Sequence, residues 1–204
     1  MKITEVTRQK NNPSRVSVFS DGEYLLSLDE VDAVTLGIKP GIEIDEKKLN
    51  NLLFESQFGK AKSKAIEIIS AKSVSAHMLS ETLTKKGYDE IVVNEVIEEF
   101  TSLGYIDDEN FARLYIEYAI EKLWGEKKIV YELSQKGVDR NTIEDVLCEF
   151  TLPDECVLAE HIYQKYRGED FTDPKVKAKA LRYLASRGFD FSIAKGAVEK
   201  QKKE

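Results

Sequence analysis

Residues 84–100 read TKKGYDEIVVNEVIEEF and residues 134–150 read SQKGVDRNTIEDVLCEF, so one sequence motif occurs twice in this chain. A looser third copy spans residues 187–198. Each copy contains one glycine at the same place, and successive glycines are 50 and then 51 residues apart: Gly87, Gly137 and Gly188. A fixed period with drifting residues indicates that a structural unit is repeated.

The shared glycine and an aspartate two residues later predict a helix end followed by a new helix. Glycine adopts the left-handed conformation that ends a helix, and the aspartate side chain caps the next helix. We therefore predict caps at Asp89, Asp139 and Asp190. Apolar residues at matched offsets should form a buried stripe: Leu83, Leu133 and Leu184; Val93, Ile143 and Ala194; Ile97, Leu147 and Val198.

A leading helix is predicted before each copy of the repeated motif, at about residues 62–70, 109–123 and 156–167. Each unit thus has three helices. Two helices joined by a Gly-x-Asp turn also resemble a helix-turn-helix, the shape of many DNA-binding proteins. The pattern alone leaves two interpretations open, a packing turn in a repeat protein and a DNA-contacting motif.

The first 50 or so residues have a different pattern. Val16 and Val18 precede Asp21-Gly22, and alternating apolar residues follow, which predicts a hairpin with a type I′ turn. A short helix should end at Gly37, and residues 42–44 should form a third strand before Asp45 caps the next helix. This small unit should pack on the helices that come after it.

The predicted fold is therefore mainly α, with a small β-rich unit before three tandem three-helix repeats. The expected boundaries are residues 1–55 for the β-rich unit with its hairpin, then 56–107, 108–154 and 155–204 for the repeats, the last with a basic tail.

Composition excludes several classes of protein. With 42% hydrophobic and 33% charged residues the chain should fold, and it has neither an apolar stretch of membrane-spanning length nor a secretory signal, which favours the cytoplasm. Cys148 and Cys156 are expected to be reduced core thiols. No phosphate loop, catalytic triad or metal-ligand cluster is present, so we expect no enzyme activity and no cofactor or metal.

The net charge of −7 hides a gradient, because residues 155–204 alone carry 11 basic and 8 acidic residues. Lys175, Lys179 and Arg182 fall on one stripe of a predicted helix, where they could contact phosphates or an acidic protein surface. A solvated amphipathic face is the equally weighted alternative. Five further lysines complete the set of candidate contact residues: Lys195, Lys127, Lys128, Lys85 and Lys86.

The stretch from residue 103 to residue 138 resembles the signature of the RecX family of regulatory proteins. It opens with Gly-Tyr-Ile-Asp-Asp, continues with Phe-Ala-Arg, and closes on a glycine, a basic-Ile step, Glu-Leu and Lys-Gly. The resemblance covers about residues 60–200. The matching residues are Gly104, Tyr105, Ile106, Asp107, Asp108, Phe111, Ala112, Arg113, Gly125, Lys128, Ile129, Glu132, Leu133, Lys136 and Gly137.

The resemblance implies an elongated, curved array of three-helix units that binds the RecA recombinase filament on single-stranded DNA. Proteins of this family limit filament growth and lower ATP hydrolysis, strand exchange and RecA co-protease activity in homologous recombination and the SOS response. It also implies contact with single-stranded DNA, directly or through the filament, and we expect a monomer without membrane association. The alternative is a helix-turn-helix-like protein that binds DNA without a partner.

Two departures from the family pattern concern DNA contact. Residues 71–79 read AKSVSAHML where many relatives have an arginine-rich stretch. In the second unit, Glu117 and Glu121 occupy faces where basic residues are common. The third unit is therefore the expected site of DNA contact.

Overall fold

A computed structural model describes residues 1–203, and side chains up to residue 201. Within residues 1–203 it contains three strands, ten α-helices and a 3₁₀ helix. Their bounds are β1 (Ile3–Arg8), β2 (Arg15–Ser20), β3 (Glu23–Asp29), α1 (Glu30–Thr35), α2 (Glu46–Ala71), α3 (Ala76–Lys85), α4 (Glu90–Ser102), α5 (Asp108–Glu121), α6 (Glu126–Gln135), α7 (Arg140–Leu147), α8 (Glu155–Lys165), α9 (Pro174–Ser186), α10 (Phe191–Glu199) and the 3₁₀ helix Lys200–Lys203.

The chain forms two compact units. The first consists of residues 1–74 and 78–106, and the second of residues 75–77 and the chain from Asp107 onward. The mainly helical fold with a small amino-terminal sheet confirms the predicted fold class. The helix α2 runs through residue 55, so the β-rich segment and the first repeat share one helix. The repeat boundaries at residues 107 and 154 stay predictions.

The amino-terminal sheet is antiparallel in the order β1–β2–β3. Asp21 and Gly22 have φ angles of 53° and 83°, as a type I′ turn requires, which confirms the hairpin. The prediction of a third strand at residues 42–44 is wrong. These residues form one isolated bridge, between Lys2 and Glu43, and their backbone hydrogen bonds go to Met1 and Ile3 at the amino end of β1.

The sheet packs on α2 through both apolar and polar contacts. Leu52 of α2 is fully buried with the apolar residues of the sheet. The buried Arg15 donates to Asp29 Oδ1 of β3 at 3.2 Å and to the carbonyl of Ser56 in α2 at 3.5 Å. A Cβ at Gly59 would lie 2.5 Å from Asp29 Oδ2, so α2 approaches this pair closely at Gly59. The expected packing of the small unit on the following helix is confirmed.

The repeated glycines have the predicted conformation, with φ of 86° at Gly87, 76° at Gly137 and 85° at Gly188. The predicted apolar stripe consists of three sets of matched positions, here called levels. The prediction is confirmed at the first two levels and shifted by one residue at the third. Buried residues at the first two levels are Leu83, Leu133, Leu184, Val93, Ile143 and Ala194. At the third level Ile97 and Leu147 are half-buried, and the fully buried positions lie one residue earlier: Val96, Val146 and Ala197, beside Val198.

Two of the three predicted aspartate caps are present. Asp89 accepts from the backbone N–H of Ile91 at 2.9 Å, and Asp139 accepts from those of Asn141 and Thr142. Asp190 occupies the predicted N-cap position of α10, but the predicted side-chain hydrogen bond is absent. Its carboxylate makes no cap hydrogen bond and forms an ion pair with Lys127 instead.

The two cysteines also differ from expectation. Cys148 and Cys156 are free thiols on the surface rather than core residues. Cys156 lies in the first turn of α8, where Lys200 Nζ donates to its sulfur at 3.2 Å. The core of this region is supplied by Leu158, Ala159 and Ile162.

We expect Leu133→Ala to lower the free energy of unfolding by about 2 to 5 kcal/mol, because the side chain is fully buried and its truncation leaves a cavity. Chemical denaturation followed by circular dichroism measures this loss. Gln135→Ala on the exposed face of the same helix is the control. Equal stability of the two variants would contradict the assignment of Leu133 to the core.

The two aspartates at equivalent turns should behave differently in amide hydrogen exchange. Asp139→Ala should speed exchange at Asn141 and Thr142, whose N–H groups lose their acceptor. Asp190→Ala should leave exchange at the start of α10 nearly unchanged, since it removes only an exposed ion pair. The same acceleration at both turns would show that Asp190 does cap α10.

Candidate interaction surfaces

Most of the signature residues of segment 103–138 have structural roles. Gly104 has φ of 72°, which ends α4, and Asp107 caps α5 by accepting from the N–H of Asn110 at 2.9 Å. Asp108 Oδ1 accepts from the N–H of Ala76 at 2.8 Å and so holds the start of α3. The apolar signature residues are buried: Ile106, Phe111, Ala112, Ile129 and Leu133.

Arg113 of the signature ties α5 to the end of α7. Its guanidinium donates to both carboxylate oxygens of Glu149, at 3.1 and 3.0 Å, and to Glu109 at 3.0 Å. These hydrogen bonds, the one to Glu149 first, raise the pKa of Arg113 and lower that of Glu149. A bidentate pair of this kind fixes geometry as well as charge, so Arg113 acts within the fold.

Two signature glycines lie where chain segments approach closely. A Cβ at Gly137 would overlap the Cβ of His77, and the adjacent Lys136 carbonyl accepts from the hydroxyl of Ser75. A Cβ at Gly125 would lie 2.5 Å from the carbonyl oxygen of Gly188. Both contacts lie within the second unit and leave no room for a side chain.

The predicted basic stripe on α9 is exposed along its length. Lys175, Lys179 and Arg182 all face solvent, while Val176, Ala180 and Leu184 are buried beneath them. Lys179 approaches Glu169 at 3.5 Å. Neither Lys175 nor Arg182 forms an ion pair with a carboxylate of residues 1–201. The stripe therefore presents cationic groups that could bind an anionic partner.

The other candidate lysines do not join this stripe as one group. Lys195 lies 3.8 Å from Glu199, Lys127 pairs with Asp190, and Lys85 pairs with Glu81 at 2.9 Å. Lys86 is exposed beside Lys85 in the first unit. Lys128 is half-buried, and its ammonium group lies 4.1 Å from the centre of the Trp124 ring.

Lys128 belongs to a cluster that the sequence pattern does not predict. Tyr115, Tyr118 and Trp124 contact one another, with ring centroids 6.1 to 6.3 Å apart. Each ring has a lysine over it: Lys136 at 5.2 Å from Tyr115, Lys122 at 5.6 Å from Tyr118, and Lys128 over Trp124. We name this set of three aromatic residues and three lysines the aromatic–lysine patch.

An unusual helix end positions Trp124 in this patch. The N–H groups of Leu123 and Trp124 donate to the carbonyls of Ile120 and Ala119, both at 2.9 Å, as in a Schellman motif. Leu123 takes the left-handed position with φ of 54°, where glycine is usual. The chain turns back there and places Trp124 against Tyr118, at the expense of local backbone strain.

A partly buried carboxylate lies beside the patch. The Tyr115 hydroxyl is 3.5 Å from Glu132 Oε2. Burial raises the pKa of Tyr115 to about 12, and the neighbouring negative charge of Glu132 adds to the rise. Tyr115 is therefore a neutral hydrogen-bond donor at physiological pH.

A second group of rings and cations lies on α8 and α9. His161 stacks on Tyr183 and its Nε2 is 2.9 Å from the Tyr183 hydroxyl, while Lys165 and Arg187 lie 4.4 and 5.1 Å from the Tyr183 ring centre. Partial burial first, and then the charges of Arg187 and Lys165, lower the pKa of His161. The Arg187 guanidinium also donates to the carbonyl of Lys122 at 2.6 Å, which joins this group to the patch.

The described part of the chain contains neither a candidate metal site nor a candidate membrane-spanning helix. No three His, Cys, Asp or Glu side chains there are grouped so that they could hold a metal ion. No helix there combines the length and apolar character needed to cross a membrane.

Comparisons with known proteins agree on one family. Family models match for the regulatory protein RecX N-terminal domain over residues 1–45, for the second RecX three-helix domain over residues 107–147, and for the third over residues 155–198. The chain is 30% identical over 202 residues to the regulatory protein RecX of Clostridium botulinum, covering 97% of this chain and 95% of that protein. It is 31% identical over 205 residues to that of Clostridium tetani, covering 98% and 94%.

Solved structures of RecX proteins are similar to this chain in fold. A crystal structure of a regulatory protein RecX is similar with a TM-score of 0.71 and 25% identity, over 95% of this chain and 97% of the other. The crystal structure of RecX from Lactobacillus salivarius is similar in fold, with a TM-score of 0.59 and 23% identity over 71% and 96% of the two chains. The chain therefore belongs to the RecX family of regulatory proteins.

Proposed function

We propose that this chain binds the filament that RecA forms on single-stranded DNA and restrains its ATP hydrolysis, strand exchange and co-protease activity. The observation that carries the proposal is the similarity, over 97% of the chain, to proteins named regulatory protein RecX, a family whose role is RecA regulation. The protein would act in the cytoplasm as a monomer, by binding rather than by catalysis.

Two features of the molecule support binding to a filament. A filament presents the same surface at regular intervals, and tandem helical units can present similar surfaces at a matching spacing. The second and third copies of the repeated motif belong to one compact unit. The exposed cations of α9 suit a partner with a negative surface, whether phosphate or carboxylate.

A second candidate function is DNA binding without RecA. The observation that favours it is the presence of exposed cations, Lys175 and Arg182, which form no ion pair with a carboxylate of residues 1–201. Phosphate contacts of this kind make affinity fall steeply with salt. Both candidates use α9, so they differ in whether RecA is needed.

Titration of this protein into a bacterial RecA ATPase assay on single-stranded DNA should lower the rate of ATP hydrolysis. The fall should occur at concentrations too low to occupy bare DNA, measured in parallel at two salt concentrations. Inhibition only where bare DNA is already saturated would favour the second candidate. Unchanged ATPase and strand exchange with the protein in excess would contradict the proposal.

Reversing the charge of the α9 stripe with Lys175→Glu, Lys179→Glu and Arg182→Glu should weaken the inhibition of RecA. Folding should be nearly unaffected, because exposed charges contribute little to stability. The matched control reverses three exposed lysines of the amino-terminal segment, with Lys10→Glu, Lys39→Glu and Lys47→Glu. Circular dichroism checks helicity in both variants. Full inhibition by the α9 variant would show that the stripe is only a solvated face.

A further inference from the structure

Within residues 108–154, the lysines of the aromatic–lysine patch differ from the other basic residues in their ion pairing. Residues 108–154 contain 6 basic and 11 acidic residues, a poor composition for binding an anion. The three basic residues outside the patch are all neutralised by carboxylates: Arg113 by Glu109 and Glu149, Lys127 by Asp190, and Arg140 by Glu144.

The three lysines of the patch behave in the opposite way. Lys122, Lys128 and Lys136 form no ion pair with any carboxylate of residues 1–201, and each instead lies over an aromatic ring. In a segment with nearly twice as many acidic as basic residues, all the unpaired cations are thus gathered at one place. Their charge is available to an anion from outside the chain.

The rings beneath these lysines are open to solvent in part. Tyr118 is 49% exposed, and Trp124 is half-buried beside it. A lysine has a flexible stem and compact charge, so each ammonium group can leave its ring when an anion takes its charge. The ring face is then free for a flat partner, while the lysine remains within reach of the same ligand.

The neighbouring acidic residues of α5 form no ion pair with the lysines of the patch. Tyr118 and Lys122 are four residues apart and share one face of the helix. Glu117 lies about 100° around the helix axis from Tyr118, whereas Glu121 is three residues after Tyr118 and borders this face. Neither glutamate therefore neutralises the lysines of the patch. Arg187, bonded to the Lys122 carbonyl, extends the cationic surface toward Tyr183 and Lys165.

We propose that the aromatic–lysine patch binds single-stranded nucleic acid, with nucleobases stacked on Tyr118 and Trp124 and phosphates contacted by Lys122 and Lys128. An acidic peptide would need the lysines but not the rings, and an apolar protein surface would need the rings but not the lysines. A single strand needs both, and it binds such surfaces with little sequence preference. The strained turn at Leu123 holds Trp124 in place before the strand arrives.

This inference adds to the proposed function a direct contact with the strand, and it is tested without RecA. Trp124 is the only tryptophan, so its fluorescence reports on the patch alone. We expect a single-stranded dT oligonucleotide to quench it, and inorganic polyphosphate, which has no bases, to bind without comparable quenching. Duplex DNA of equal length should quench less, because its bases are already stacked.

Substitutions separate stacking from charge. Tyr118→Ala should weaken binding of a labelled dT oligonucleotide, measured by anisotropy, by about tenfold, as expected for the loss of one stacked base. Tyr118→Phe keeps a ring and should bind like the unaltered protein. Tyr163→Ala, at a tyrosine 44% exposed on α8 and outside the patch, is the matched control.

Three results would overturn the inference. They are no quenching by the oligonucleotide, equal affinity of Tyr118→Ala and Tyr163→Ala, and equal quenching by polyphosphate. If Tyr118→Ala binds the oligonucleotide normally but inhibits RecA less, the patch contacts protein and the stacking assignment is wrong. Because the oligonucleotide measurements contain no RecA, they can succeed even if the proposed regulation fails.

Discussion

The second compact unit depends on two glycine turns at which chain segments meet without room for a side chain. A Cβ at Gly137 would overlap the Cβ of His77, and one at Gly188 would overlap the backbone nitrogen of Lys128. Both glycines also have positive φ, so another residue would add backbone strain to the steric conflict. Gly87 shares the conformation, but a Cβ there would meet nothing within 4 Å. The backbone role of the repeated glycine is therefore constant, and its packing role is specific to the second and third copies.

Features governed by neighbouring residues could be predicted from the sequence. The Asp21-Gly22 turn, the left-handed glycines and the caps at Asp89 and Asp139 all follow from local backbone chemistry. Features decided by distant residues could not. The strand β1 has a half-polar sequence and is fixed by pairing with β2. The carboxylate of Asp190 pairs with Lys127, 63 residues away, rather than with the N–H groups of α10.

The interaction surfaces divide in the same way. The exposed stripe on α9 was predictable from helical periodicity, because its charged residues and its apolar residues each recur at steps of three or four. The patch has a weaker signal. Tyr118 with Lys122, and Trp124 with Lys128, are each an aromatic residue followed four positions later by lysine, but the contact of Lys136 with Tyr115 spans 21 residues. Leucine occupies the position of the Schellman motif where glycine is usual. The sequence therefore does not predict the turn that brings Trp124 to Tyr118.

Net charge is a poor guide to anion binding in this protein because it counts paired and unpaired cations alike. The segment from residue 108 to residue 154 is strongly acidic, yet its carboxylates neutralise cations that serve the fold, such as Arg113, and leave the patch lysines unpaired. Remote acidic groups are screened beyond about 10 Å at moderate salt, so they oppose a bound phosphate only weakly. Local pairing thus decides where a polyanion can bind, and an overall charge of −7 is compatible with contact to DNA.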